Sequence, residues 1–155
     1  MDALLAAIEQ SYLPTILRSS RWGYAALNAT HIAGIALLVG AIVPLNLRLF
    51  GFWPTIARRD LARVLAPTAA TGLMIAAASG LMLFSVRATE YPGLWLFWGK
   101  LSVVALGGAS AIIAHVRYGR WLDATERANL FGVALTSMTC WIAALAAGRL
   151  IAFVQ

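Results

Sequence analysis

The stretch "NATHIAGIALLVGAIVPLNLRLFG", residues 28–51, is apolar over most of its length, but a histidine lies near its start and an asparagine and an arginine near its end. An apolar run of about 20 residues crosses a lipid bilayer as one helix. The chain has four such runs, over about 23–46, 65–86, 95–116 and 129–150. They predict an all-α fold, a transmembrane four-helix bundle.

The composition of the chain agrees with a membrane protein. Of its 155 residues, 61% are hydrophobic and 12% are charged, whereas a soluble domain is about half apolar and about one quarter charged. The four runs take up most of residues 1–155, which are therefore predicted to form a single integral membrane domain. They leave no room for a separate catalytic domain, and the remaining residues supply no paired general acid and base. An enzyme that acts alone is the least supported class of function.

The segment before the first run is predicted to lie on the membrane surface as an amphipathic helix over about 2–13. Its apolar side chains recur at helical spacing, at Leu4, Leu5, Ile8 and Tyr12. Acidic and amide side chains occupy the other faces, which is the pattern of an interfacial helix. Pro14 is expected to end this helix, because proline disrupts a helix interior.

The positive charges are distributed unevenly between the two ends of the predicted bundle. The net charge is +6, and most of the Lys and Arg residues flank the connections between spans one and two and between spans three and four: Arg48, Arg58, Arg59, Arg63, Arg117, Arg120 and Arg127. Because cytoplasmic connections carry the excess of Lys and Arg, both termini are predicted to be periplasmic, in a bacterial inner membrane. The distribution indicates topology rather than a binding patch. The lipid bilayer is therefore an expected partner, and nucleic acid is not.

Ionisable side chains inside the apolar runs are candidates for function, because a charge buried in lipid is costly. With a rise of about 1.5 Å per residue, His31 lies roughly 13 Å and Lys100 roughly 7 Å from the outer boundary. His115 lies about 30 Å from that boundary, near the cytoplasmic side. Two candidate sites follow: an outer cluster of Asn28, His31, Lys100 and Arg149, and an inner cluster of Asn46, Arg48 and His115.

The separation of the two histidines restricts how a haem would be held. The axial nitrogens of one haem iron are about 4 Å apart, but the two imidazoles are about 17 Å apart along the membrane normal. We therefore do not expect His31 and His115 to share a haem. A haem b with His31 as its axial ligand stays open, with Lys100 and Arg149 on its propionates. Binding of a quinone, through hydrogen bonds to the same imidazole and cation, is also left open.

Three functional hypotheses follow. The leading one is a small membrane subunit or accessory protein of electron transfer, which binds haem b or a quinone at the outer cluster. Copper transport or homeostasis is an alternative, because His, Met and Cys side chains bind Cu(I) and His31, Met74 and Cys140 lie at similar depth. The third is a structural subunit that docks onto other membrane subunits, or onto copies of itself, through faces of small residues. One such face is Gly72, Ala76 and Gly80.

Each candidate residue also has a purely structural interpretation. A histidine such as His31 can hydrogen-bond a neighbouring helix across a bundle. Lys100 and Arg149 lie near helix ends, where long side chains extend to the lipid head groups. His115 is close enough to the boundary to be an interfacial residue. Met74 and Cys140 are expected more often in packing than as ligands.

Three stretches together resemble a family of small bacterial four-helix inner-membrane proteins that is known only as a domain of unknown function. They are "HIAGIALLVGAIVPLNLRLFG" (31–51), "YPGLWLFWGKLSVVALGGASAIIAHVRYGRW" (91–121) and "AAGRLIAFV" (146–154). The resemblance points to a set of motif residues: His31, Gly34, Arg48, Gly51, Lys100, His115, Gly148 and Arg149. Asn46 stands where that family more often has an acid. The family is faintly similar to the copper-resistance D-type membrane proteins, and the resemblance implies no particular activity.

Overall fold

The computed structural model describes residues 2–122 and 127–154, and within these residues it is helical with no strand. The helices are α1 (Asp2–Glu9), α2 (Tyr12–Ser19), α3 (Arg21–Phe50), α4 (Arg58–Val86), α5 (Trp95–Arg117) and α6 (Arg127–Val154). A short 3-10 helix, Tyr91–Gly93, precedes α5. The predicted all-α class is thereby confirmed.

Four of these helices are long and apolar enough to cross a membrane, as the four apolar runs predict. They are α3, α4, α5 and the part of α6 over Leu130–Ile151. Helix α4 begins at Arg58, several residues before the predicted start of the second span. The charged residues there continue the helix beyond its apolar part, because arginine has a good helix propensity.

The N-terminal segment forms two short helices where the sequence predicts one over 2–13. Helix α1 ends at Glu9, and α2 begins at Tyr12 after Ser11, whose hydroxyl donates to the backbone oxygen of Ile8. Pro14 therefore does not end a helix; it lies in the first turn of α2 and is fully buried. Proline is tolerated there, because the first N–H groups of a helix have no partner within the helix.

Glu9 fastens the two N-terminal helices to the connection between α4 and α5. Its carboxylate accepts hydrogen bonds from the backbone N–H of Thr89 at 3.1 Å and from the Thr89 hydroxyl at 2.7 Å. It also forms an ion pair with Arg18 of α2 at 3.0 Å. These hydrogen bonds, with Thr89 contributing most, hold the pKa of the Glu9 carboxyl below its ordinary value.

The attachment of α1 and α2 is therefore expected to depend on pH. Because the folded-state pKa of Glu9 is lowered, the contact contributes stability above the carboxyl's ordinary pKa and loses it as the pH falls through the lowered pKa. Carbon NMR of the Glu9 carboxyl should show a midpoint below that ordinary value. The midpoint should rise in Thr89→Val and stay low in Thr89→Ser, which keeps both donors. Equal midpoints in the wild type and Thr89→Val would contradict this.

Helices α3 and α4 make the closest approach in the bundle. A methyl group on Gly72 would lie 2.5 Å from the backbone nitrogen of Leu38, and one on Gly34 would lie 2.7 Å from that of Ala76. Two helices come this close only where side chains are absent or very small. The face of Gly72, Ala76 and Gly80 thus packs against α3.

The four long helices alternate in direction, so the bundle has two distinct ends. We call one the His31 end: it carries α1, α2 and the connection between α4 and α5. We call the other the His115 end: it carries the connection over 51–57 and residues 118–122 after α5. The sequence predicts the first to be periplasmic and the second to be cytoplasmic.

Candidate functional site

His31 of α3 is hydrogen-bonded across the helix interface to Ser79 of α4. Its Nδ1 lies 3.1 Å from the Ser79 hydroxyl, which is 3% exposed. Gly80 makes room for the ring, since a methyl group there would lie 3.0 Å from the imidazole Cε1. The histidine therefore links two helices, as its structural interpretation predicts, and α4 fixes the orientation of the ring.

The bonding of Ser79 determines which imidazole nitrogen carries the proton. The Ser79 hydroxyl donates its single proton to the backbone oxygen of Ile75 at 2.5 Å. It must then accept from His31, so Nδ1 carries the hydrogen. In the neutral ring the other nitrogen, Nε2, has a free lone pair. His31 can therefore accept a proton or a hydrogen bond from a ligand without breaking its bond to α4.

Lys100 of α5 brings a positive charge to the same region. Its aliphatic chain crosses Gly148 of α6, where a methyl group would lie 3.3 Å from Nζ. The ammonium is near enough to His31 for the two to interact electrostatically. Within the residues that the structure describes, Lys100 has neither a hydrogen bond nor an ion pair. The carboxylate of Asp60, in the first turn of α4, is at the other end of the bundle.

Two other members of the predicted outer cluster are exposed. Asn28 is exposed, one helical turn before His31. Arg149 is also exposed, with its guanidinium 4.8 Å from the centre of the Phe153 ring. The outward position of Arg149 agrees with a side chain that extends to the head groups. Of the outer cluster, the structure brings together His31 and Lys100.

The predicted inner cluster divides in a similar way. Asn46 is 3% exposed and donates to the Ser137 hydroxyl of α6 at 3.1 Å. His115 donates from Nδ1 to the backbone oxygen of Arg120 at 3.0 Å, across a turn at Gly119. Arg48 instead binds the 51–57 connection, through a 2.7 Å bond from Nε to the Ile56 oxygen. Asn46 and His115 thus share a region from which Arg48 is absent.

Asn46 and His115 line a cavity of about 520 Å³ between the helices at the His115 end. Among the described residues, close packing joins α3 to α4, α5 to α6 and α3 to α6, but not α4 to α5. At the His31 end the aromatic rings of Phe84 and Phe97 stack at 5.5 Å and bridge these two helices. Further along, α4 and α5 are separated by the cavity, which we call the lateral groove.

Sequence reasoning missed one residue of the lateral groove, Trp141 of α6. This side chain is 5% exposed, and its indole N–H has no hydrogen-bond partner among the described residues. Its ring packs on Gly107 of α5, where a methyl group would lie 3.2 Å from it. The available signal was its position, because membrane tryptophans concentrate at the interfaces and Trp141 lies in the middle of a span.

The residues predicted to bind copper lie on different faces of the bundle. Met74 is 64% exposed and lies about 200° around α4 from Ala76, which faces α3. Cys140 lies against Gly107 of α5. Within the described residues, no group of three or more His, Cys, Asp or Glu side chains is arranged to hold a metal ion.

The two histidines lie toward opposite ends of the bundle, as their predicted depths indicate. His31 contacts Ser79, whereas His115 lines the lateral groove together with Asn46. Asn46 follows His31 on α3 by 15 residues, which is about 22 Å along a helix. One haem iron therefore does not reach both imidazoles.

Comparison of the chain with protein families, with curated proteins and with solved structures gives no match. The resemblance to the small four-helix inner-membrane family stays a prediction.

Proposed function

We propose that this protein is a small integral membrane accessory protein of electron transfer that binds a quinone head group between His31 and Lys100. We place it in a bacterial inner membrane with both termini periplasmic. The observation that supports the quinone site is the ammonium of Lys100, which interacts electrostatically with an oriented imidazole and has no hydrogen-bond or ion-pair partner among the described residues. A charge in such a position is costly, and it is typical of a ligand site.

The two side chains offer complementary chemistry to a quinol. The free lone pair on Nε2 of His31 accepts the proton of a quinol hydroxyl, and Ser79 holds the ring in the matching tautomer. The ammonium of Lys100 donates a hydrogen bond to the second oxygen and stabilises negative charge that develops as the proton leaves. Oxidation of the quinol releases two electrons and two protons. The electrons pass to a redox centre of a partner membrane subunit, because these side chains cannot accept them; one proton passes to His31, and the other leaves to the aqueous phase at the His31 end.

A haem b with His31 as axial ligand is the second candidate. The bond from Nδ1 of His31 to Ser79 favours it, because a metal-bound histidine usually donates its other N–H to a neighbouring acceptor. In that case Lys100 would bind a haem propionate. The quinone is preferred because both side chains then bind one head group, His31 as hydrogen-bond acceptor and Lys100 as donor.

The test is the content of the purified protein. Protein from a mild detergent should release quinone into organic solvent at close to one molecule per chain, and its visible spectrum should lack a Soret band. Arg149→Gln is the control and should keep the quinone, because Arg149 faces outward. A Soret band that disappears in His31→Ala would replace the quinone with haem. If the purified protein carries neither quinone nor haem and does not bind added quinone, both candidates are refuted.

A further inference from the structure

The lateral groove has the shape of a site for a hydrocarbon chain. Its walls are mainly the aliphatic side chains and alanines of α3, α4 and α5, among them Leu38, Ile42 and Leu73. Its volume of about 520 Å³ falls within the range of small-molecule sites in proteins. Because α4 and α5 do not pack together beside it, the groove opens sideways, toward the acyl chains of a surrounding bilayer.

The His115 end of the groove is cationic. Arg120 and Trp121 line it, and the guanidinium of Arg120 lies 5.0 Å from the centre of the Trp121 ring. Arg63, in the second turn of α4, approaches the same ring at 6.0 Å. Within the described part of the chain, neither arginine forms an ion pair with a carboxylate. The groove is thus apolar along most of its length and positive at the His115 end.

We propose that the lateral groove binds an anionic phospholipid, with one acyl chain between α4 and α5 and the phosphate held by Arg120 and Arg63. Basic residues at the end of a groove between transmembrane helices attract anionic head groups. Cation–π contact with the Trp121 ring brings the two guanidinium groups together, and their N–H groups can donate to phosphate oxygens. The lipid is expected to carry a net negative charge, because two guanidinium groups meet at this end of the groove and, among the described residues, neither forms an ion pair that would offset its charge.

Native mass spectrometry of the detergent-purified protein tests the head-group preference. Phosphatidylglycerol should be retained in preference to phosphatidylcholine with the same acyl chains. Arg120→Gln should lower phosphatidylglycerol binding about fivefold, since each arginine contributes about a factor of five near a membrane surface. Arg117→Gln is the matched control, because Arg117 is exposed at the end of α5 and does not line the groove. Equal losses of phosphatidylglycerol binding in the two variants, or no preference for phosphatidylglycerol in the wild type, would overturn the proposal.

A second pair of variants tests the acyl-chain part of the site. Gly108 lines the groove, and a side chain added there meets no atom within 4 Å. Gly108→Phe should therefore fill the groove without a clash and lower the retention of both lipids. Gly99→Phe is the matched control: its side chain also enters open space, but Gly99 lies outside the groove. This variant should bind lipid as the wild type does. Unchanged lipid binding in Gly108→Phe would overturn the proposal. If this variant keeps the lipid but loses the quinone, the groove is the quinone site instead.

Discussion

Gly72→Ala is expected to destabilise the protein by about 1–3 kcal/mol, the usual cost of overpacking a well-packed contact. The added methyl would lie 2.5 Å from the backbone nitrogen of Leu38 and 2.8 Å from the backbone oxygen of Gly34. Neither of these atoms can move like the tip of a side chain, so α3 and α4 would have to separate. The effect is measured by unfolding the detergent-solubilised protein and monitoring the loss of its helical circular dichroism signal.

Gly40→Ala on α3 is the matched control for this prediction. A methyl group on Gly40 meets no atom within 4 Å, and alanine favours a helix over glycine by about 1 kcal/mol. The control should therefore be neutral or slightly stabilising. Equal stability of the two variants would contradict the close approach of α3 and α4.

The separation of the helices should also weaken the candidate site. Gly72 and Ser79 lie two turns apart on the same face of α4, and His31 bonds to Ser79 across that interface. A shift of α4 away from α3 would break this bond and release the ring from its fixed tautomer. Gly72→Ala is thus expected to reduce quinone binding, although Gly72 contacts neither His31 nor Lys100.

The contact at Gly72 was readable from the sequence because small residues recur there every four positions. The four apolar runs were readable for the same kind of reason, since their length and composition suit a bilayer. The partner of His31 was not readable. A membrane helix is apolar on nearly every side, so periodicity does not show which side faces the bundle. Met74 is a candidate partner of His31 by depth, but it is exposed, and Ser79 is the residue that His31 contacts.

The clusters predicted from depth illustrate the same limit. Depth follows from residue number alone, so His31 and Lys100 were placed at one end of the bundle and His115 toward the other. The rotation of each helix decided the rest: Asn28 and Arg149 face outward, and Arg48 turns to the 51–57 connection. The lateral groove was hidden for a further reason. It depends on which helices fail to pack, and a sequence pattern describes each helix separately.

Lys100→Met is expected to weaken quinone binding strongly and, at the same time, to stabilise the fold. A hydrogen bond from a charged donor contributes about 1.5–3 kcal/mol, so its loss should weaken quinone binding about 10- to 100-fold. Methionine has a similar length and can still lie across Gly148. Removal of an ammonium that has no partner among the described residues should raise the free energy of unfolding by up to about 3 kcal/mol, the cost of a lysine in a membrane.

The opposite signs of these two effects separate a ligand site from a structural role. If Lys100 merely extends to the head groups, its charge is already solvated, and Lys100→Met should change neither quinone binding nor stability. If an acidic group stabilises it in the folded protein, the variant should be less stable. Arg149→Met, one residue beyond Gly148 and facing outward, is the matched loss of a positive charge and should leave both quantities unchanged. Of the two variants, only Lys100→Met is expected to gain stability and lose the quinone. The reason is that a ligand site retains a costly charge that the fold itself does not need.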